Sequence, residues 1–157
     1  LLVLEAKFVI RNSRGERVVD AEDFWIGPKI DITRMTVLKD GDILTAIRIP
    51  NTWAGAQFYF EKASDRQTWD FPLVNVASAI RTDGGVITAA RVAVGAVENR
   101  PRLVRGAGAS LSGEQKGEEI AAIVGKTSVR GARPLHFNQY QIPLIQNLVK
   151  RAIRHRP

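Results

Sequence analysis

The first ten residues are rich in Leu, Val and Ile and read as a strand, and Asn12-Ser13-Arg14-Gly15 then supplies turn chemistry before Arg17-Val18-Val19 returns. This pattern predicts a hairpin. Asp20-Ala21-Glu22-Asp23-Phe24-Trp25 predicts a short helical turn, closed by Gly27-Pro28. Residues 33–38 and 42–49 are the next extended pieces. They flank Lys39-Asp40-Gly41-Asp42, a turn in which Gly41 is free to take positive φ, and Pro50 ends the second piece. Residues 51–56 form a connector of polar and small side chains. The expected boundary therefore separates a partial first domain, residues 1–50, from a complete second domain, residues 51–157.

From Gln57 the alternation resumes, with Phe58, Phe60 and Lys62 on one face of an extended segment and Tyr59 and Glu61 on the other. Residues 73–80 alternate likewise, and residues 86–97 are a long run of β-branched and small side chains. Asp83-Gly84-Gly85 between them is a hairpin signal, because a two-residue primed turn needs positive φ. The period then changes. Ser112 and Gln115 have the spacing of a capping box, Glu114, Glu118 and Glu119 place negative charge in the first turns, and Gly125 offers a stop, which predicts a helix over 114–124. Ile145, Leu148, Val149, Ala152 and Ile153 form one stripe behind Pro143, the mark of an amphipathic helix docked on the sheet. Residues 102–111 have helix-like ends, although Gly106 and Gly108 would each cost about 1 kcal/mol relative to Ala. The predicted fold class is α+β: a short antiparallel sheet with two or three helices on one face.

Composition narrows the chemistry. The 157 residues are 45% apolar and 25% charged, enough to fold one domain, or one domain plus part of another. There is no Cys, so thiolate catalysis, cysteine zinc sites and cysteine-ligated iron–sulfur clusters are excluded from this chain, and any such centre belongs to a partner. No apolar run approaches the roughly 20 residues that span a bilayer, and no membrane is expected among the partners. The chain begins with Leu1 and reads as the interior of a longer polypeptide or a processed product.

The net charge of +7 is uneven: residues 1–100 hold 13 basic and 13 acidic side chains, residues 101–157 hold 10 and 3, and none after Glu119 is acidic. Lys150, Arg151, Arg154 and Arg156 fall at the end of the last predicted helix, where cations suit the exposed carbonyls. Without interleaved aromatics the basic third matches no nucleic-acid module, and nucleic acid is not expected as a partner. His136 and His155 have no neighbouring carboxylate in sequence, and no hydrolase, metalloprotease or P-loop motif occurs. No catalytic or metal-binding residue is assigned.

The most informative stretch is Phe58-Tyr59-Phe60-Glu61-Lys62-Ala63-Ser64-Asp65-Arg66-Gln67-Thr68-Trp69-Asp70 with an apolar strand directly after it. Taken with Asp42-Ile43-Leu44-Thr45-Ala46-Ile47-Arg48-Ile49-Pro50, the run from Gly85 to Val97, the small-residue stretch ending Leu111-Ser112-Gly113, and the run from Ala132 to Leu144, it resembles the second half of the FAD-binding (medium) subunit of the molybdenum hydroxylases, the xanthine dehydrogenase, carbon monoxide dehydrogenase and aldehyde oxidoreductase group. The likeness covers essentially the whole chain and keeps the order of the pieces.

What this resemblance implies is an FAD-containing electron-transfer component, an oxidoreductase part, with residues 1–50 as the end of an FAD-binding domain. Its Gly-rich pyrophosphate-binding segments would precede Leu1. The implied partners are a molybdopterin-binding large subunit and a small subunit carrying 2Fe–2S clusters. The implied cofactor contacts are Leu44 against the flavin ring with Ile43 beside it, Lys62 near the ring and the carboxylate of Asp70. Each has a plainer reading: Leu44 as core packing, Lys62 as a surface cation paired with Glu61, Asp65 or Asp70, and Asp70 as a cap or loop carboxylate. The competing function is a non-catalytic interaction or scaffold domain with a basic docking surface.

Overall fold

A computed structural model describes residues 1–155; Arg156, one of the four tail cations, lies outside the described residues. The predicted hairpin is formed by β1 (Lys7–Asn12) and β2 (Gly15–Asp20), in register from Lys7 opposite Asp20 to Asn12 opposite Gly15. The strand expected over residues 1–10 is broken. Leu2–Leu4 form a 3-10 turn and Glu5 takes a left-handed conformation, φ 54°. The cause is long-range: the Glu5 carboxylate accepts hydrogen bonds from Trp53 Nε1 (2.9 Å) and Arg91 Nη1 (3.1 Å), while the turn buries Leu2 and Val3.

The helical turn is α1 (Ala21–Phe24). The Phe24 ring stacks on Phe8 with centroids 4.1 Å apart, and Trp25 meets both edge-on at 5.4 Å. Residues 33–38 form no continuous strand, contrary to the pattern. Asp31 captures the Thr33 N–H (2.9 Å), the Thr33 hydroxyl (2.6 Å) and Arg34 Nε (2.7 Å), which curls the chain, and only Thr36 forms a bridge, to Trp25. These bonds hold the Asp31 carboxyl down at about 2, the Thr33 hydroxyl contributing most. The β3 strand (Ile43–Arg48) pairs with β1, giving the order β2-β1-β3.

The second sheet is antiparallel throughout: β4 (Gln57–Ala63), β5 (Val74–Asp83), β6 (Val86–Gly95) and β7 (Arg102–Leu103), side by side in chain order. Gly84 and Gly85 both have positive φ in the turn that sets Asp83 opposite Val86. Three helices, α2 (Ala107–Leu111), α3 (Glu118–Ser128) and α4 (Gln141–Arg154), cover one face. There Val76, Ile80 and Val92 pack with Leu111, Val124 and Ile153, all nearly or wholly buried. The other face carries Ala77, Ala79 and Ala93, side chains small enough for the Leu2–Leu4 turn and Trp53 to lie against the strands, forming a second core with Phe8, Ile10 and Phe24. The α+β expectation holds.

Two helix signals misled. Gln115 forms a bridge with Val86, and the Glu114 carbonyl accepts the Ile87 N–H (2.8 Å), so this segment extends the sheet margin and α3 begins at Glu118. Gly125 does not stop the helix. It sits inside α3 where α4 passes so close that a Cβ would lie 3.0 Å from the Gln146 carbonyl oxygen.

Candidate functional site

Strand alternation in β4 sorts its side chains as the pattern requires. Tyr59, Glu61 and Ala63 turn toward the helices, Phe58, Phe60 and Lys62 outward. The inner face is closed by Glu61, which accepts from the Tyr59 hydroxyl and pairs with Arg151 of α4. Burial, with the Glu61 bond, raises the Tyr59 hydroxyl above its ordinary pKa.

On the outer face the Lys62 ammonium donates to the Asp70 main-chain carbonyl at 2.9 Å. Ammonium has three donor hydrogens, so this bond positions the group and leaves donors for a ligand. The Asp70 side chain serves its own loop: its oxygens accept from Arg66 N (3.0 Å), Arg66 Nη2 (3.1 Å) and Phe71 N (2.9 Å). Its carboxyl is held below the usual carboxylate range, chiefly by the Arg66 side chain, then by the Arg66 amide, with smaller help from the Phe71 amide and the Lys62 charge. Arg66 was not singled out from the sequence. Its four-residue spacing from Asp70 is the signal that could have found it.

The structure thus brings Lys62 and Asp70 together and sets Ile43 and Leu44 on the other sheet. A bulge that takes Thr45 out of the Cα register, its hydroxyl donating to the Val9 carbonyl (3.2 Å), puts Leu44 opposite Ile10 and Ile47 opposite Phe8, while Ile43 stands opposite Arg11. Every residue of β3 is exposed, Ile43 at 66%. Beside Phe60 a groove of about 240 Å³ runs over Ala77 and Ala93, walled by Leu1 and Trp25.

A positioned cation at Lys62, uncovered aliphatic side chains on β3 and an apolar groove beside Phe60 are each compatible with a flavin ring, and the groove lining includes none of Ile43, Leu44, Lys62 or Asp70. They do not supply a diphosphate cradle at the start of α3, whose first turn opens on Glu118 and Glu119 and so repels an anion. The tail cations are largely matched internally, Lys150 and Arg154 by Glu118 and Arg151 by Glu61. The bonds from Lys150 and Arg154 lower the Glu118 carboxyl.

Residues 58–155 match the family described as the CO dehydrogenase flavoprotein C-terminal domain. The chain belongs to that family. Among curated proteins this flavoprotein C-terminal domain chain is similar to the medium subunit of nicotine 6-hydroxylase from Paenarthrobacter nicotinovorans, 29% identical over 98% of this chain and 53% of the relative. It is also similar to the medium chain of carbon monoxide dehydrogenase from Hydrogenophaga pseudoflava, 25% identical over 97% and 52%. The chain spans about half the length of these curated relatives. Among solved structures, quinoline 2-oxidoreductase from Pseudomonas putida 86 superposes with a TM-score of 0.83 at 28% identity, and carbon monoxide dehydrogenase from Hydrogenophaga pseudoflava with 0.85 at 26%. Each covers 97% of this chain and 52% of the matched one. The sequence-based assignment to the medium subunits of molybdenum hydroxylases is borne out.

Proposed function

We propose that this chain is the C-terminal part of an FAD-containing electron-transfer component of a molybdenum hydroxylase complex, taking electrons from iron–sulfur clusters of a small subunit and passing them to a terminal acceptor. Substrate oxidation then belongs to a molybdopterin-binding large subunit. In this reading residues 1–50 are the end of an FAD-binding domain and residues 51–157 the C-terminal domain.

The observation that carries the proposal is Lys62, a cation displayed on the outer face of β4 and steadied by the Asp70 carbonyl, in a chain of a flavoprotein family. A bound flavin would take up single electrons and could hold two of them for delivery to an acceptor. Lys62 provides positive charge where reduction increases negative charge, and the Asp70 carboxylate, bonded to Arg66 and Phe71, keeps the loop that orients Lys62 in one shape. Ile43 and Leu44 offer apolar contact that keeps water from one side of the ring.

The visible spectrum of the purified full complex tests the reading. Flavin bands that bleach when substrate is added support it. A preparation without flavin, from a complex holding intact partner subunits, overturns it in favour of an interaction domain.

A further inference from the structure

The loop between α3 and α4, residues 129–140, presents large apolar side chains to solvent: Phe137 is 92% exposed and Leu135 75%, with Tyr140 half exposed beside them. A loop this apolar is not floppy. The Leu135 N–H donates to Asn138 Oδ1 (2.6 Å), Gln139 Nε2 to the His136 carbonyl (2.7 Å), and the Gln141 N–H to the Asn138 carbonyl (3.0 Å), so the loop is shaped from within while its apolar groups point away. Preorganised aromatic side chains with neighbouring Arg are the composition of protein-binding surfaces.

The charge around it selects the partner. Unlike the α4 cations, the guanidinium groups of Arg130 and Arg133 have no ion-pair partner among the described residues, and the nearby Glu98 is committed to Arg102 at 2.6 Å. A symmetric contact between two copies would set these cations against each other with no acidic side chain after Glu119 to offset them.

We infer that the α3–α4 loop is the docking surface for an acidic protein partner, whose carboxylates meet Arg130 and Arg133 and whose apolar surface takes Leu135 and Phe137. Gln141, the first residue of α4, ties that end of the loop to the β4–β5 loop through its Nε2 on the Leu73 carbonyl (2.9 Å), which seats that partner at the same end of the sheet as Lys62 and Asp70. The inference rests on the multisubunit reading above and deepens it: the partner docked here is one that exchanges electrons with the flavin site.

The test uses the full complex, with the flavoprotein subunit and its partner subunits co-expressed. Arg130→Glu with Arg133→Glu, and separately Leu135→Ser with Phe137→Ser, should each weaken assembly at least tenfold by native mass spectrometry, leaving the subunit's own melting temperature unchanged. Wild-type assembly should weaken as salt is raised. In hydrogen exchange on the unaltered protein, amides over 133–140 should slow on assembly; unchanged exchange there overturns the inference even if a variant misfolds. Assembly at parental affinity by both variant pairs overturns it, as does a subunit that dimerises alone through this loop. Flavin content separates the two proposals: loss of assembly in a flavin-free complex sinks the flavin reading and retains the docking surface, and parental assembly in a flavin-containing complex does the reverse.

Discussion

Arg17 reaches from β2 to Asp42, its Nη2 2.5 Å from Asp42 Oδ2, and seals a carboxylate whose side chain is only 1% exposed. Asn12 Nδ2 (2.8 Å) and the Lys39 N–H (2.9 Å) complete the shell, so the first hairpin is clamped to the turn that launches β3. The Arg17 bonds first, then Asn12 and Lys39, push the Asp42 pKa far below the ordinary carboxylate value.

Asp42→Asn is therefore expected to lower the melting temperature at pH 7 by several degrees. A depressed folded-state pKa contributes stability that is fully present above the unfolded value of about 4 and is lost as pH falls through the folded value. The gap between parent and variant should narrow below pH 4, and melting curves across that range check it. A constant gap down to the most acid point refutes the linkage.

Lys62→Met in the assembled flavoprotein removes the charge and keeps much of the stem. The flavin potential should fall by on the order of 30 mV, which for a two-electron couple is about 1.4 kcal/mol. Spectroelectrochemical titration, after confirming full flavin occupancy, measures it. An unchanged potential makes Lys62 an ordinary surface cation.

Ile153 is wholly buried in the α4–sheet core, so Ile153→Asp should destabilise by more than about 3 kcal/mol, and Ile153→Val by about 1 kcal/mol. Denaturant unfolding distinguishes the two magnitudes. Equal stability of all three proteins would remove α4 from the core.

Gly108→Ala should destabilise by about 1–3 kcal/mol although Ala is the better helix former, because the new Cβ would stand 2.8 Å from the Ala90 backbone oxygen of β6. Gly95→Ala should cost less. The atom nearest the added Cβ would be Oδ1 of Asn75, the end of a side chain that can rotate away. Melting temperatures in the reverse order would show that α2 shifts easily.

Periodicity made legible whatever depends on neighbours in sequence. The Gly84-Gly85 hairpin, the Ile145 to Ile153 stripe and the outward row of Phe58, Phe60 and Lys62 all form as the pattern requires. Distant partners defeated it elsewhere: Glu5 bends the first segment to meet Trp53 and Arg91, and Val86 draws Gln115 away from a capping role. Lys62 and Asp70, which the family resemblance singled out, lie within hydrogen-bond distance of each other. That Lys62 takes the Asp70 carbonyl while Arg66 takes its carboxylate depends on the turn of the loop, which residue identity alone does not set.

The two faces of β4 also restrict how such chains can diverge by insertion and deletion. An added or lost residue within Gln57–Ala63 would exchange Glu61 for Lys62, turning an ammonium toward Arg151 and a carboxylate outward. A change of length at the exposed Trp69, in the loop that follows, leaves the alternation of the strand itself unchanged. Parity of residue count in seven positions ties the stability of the helical layer to the electrostatics of the opposite surface.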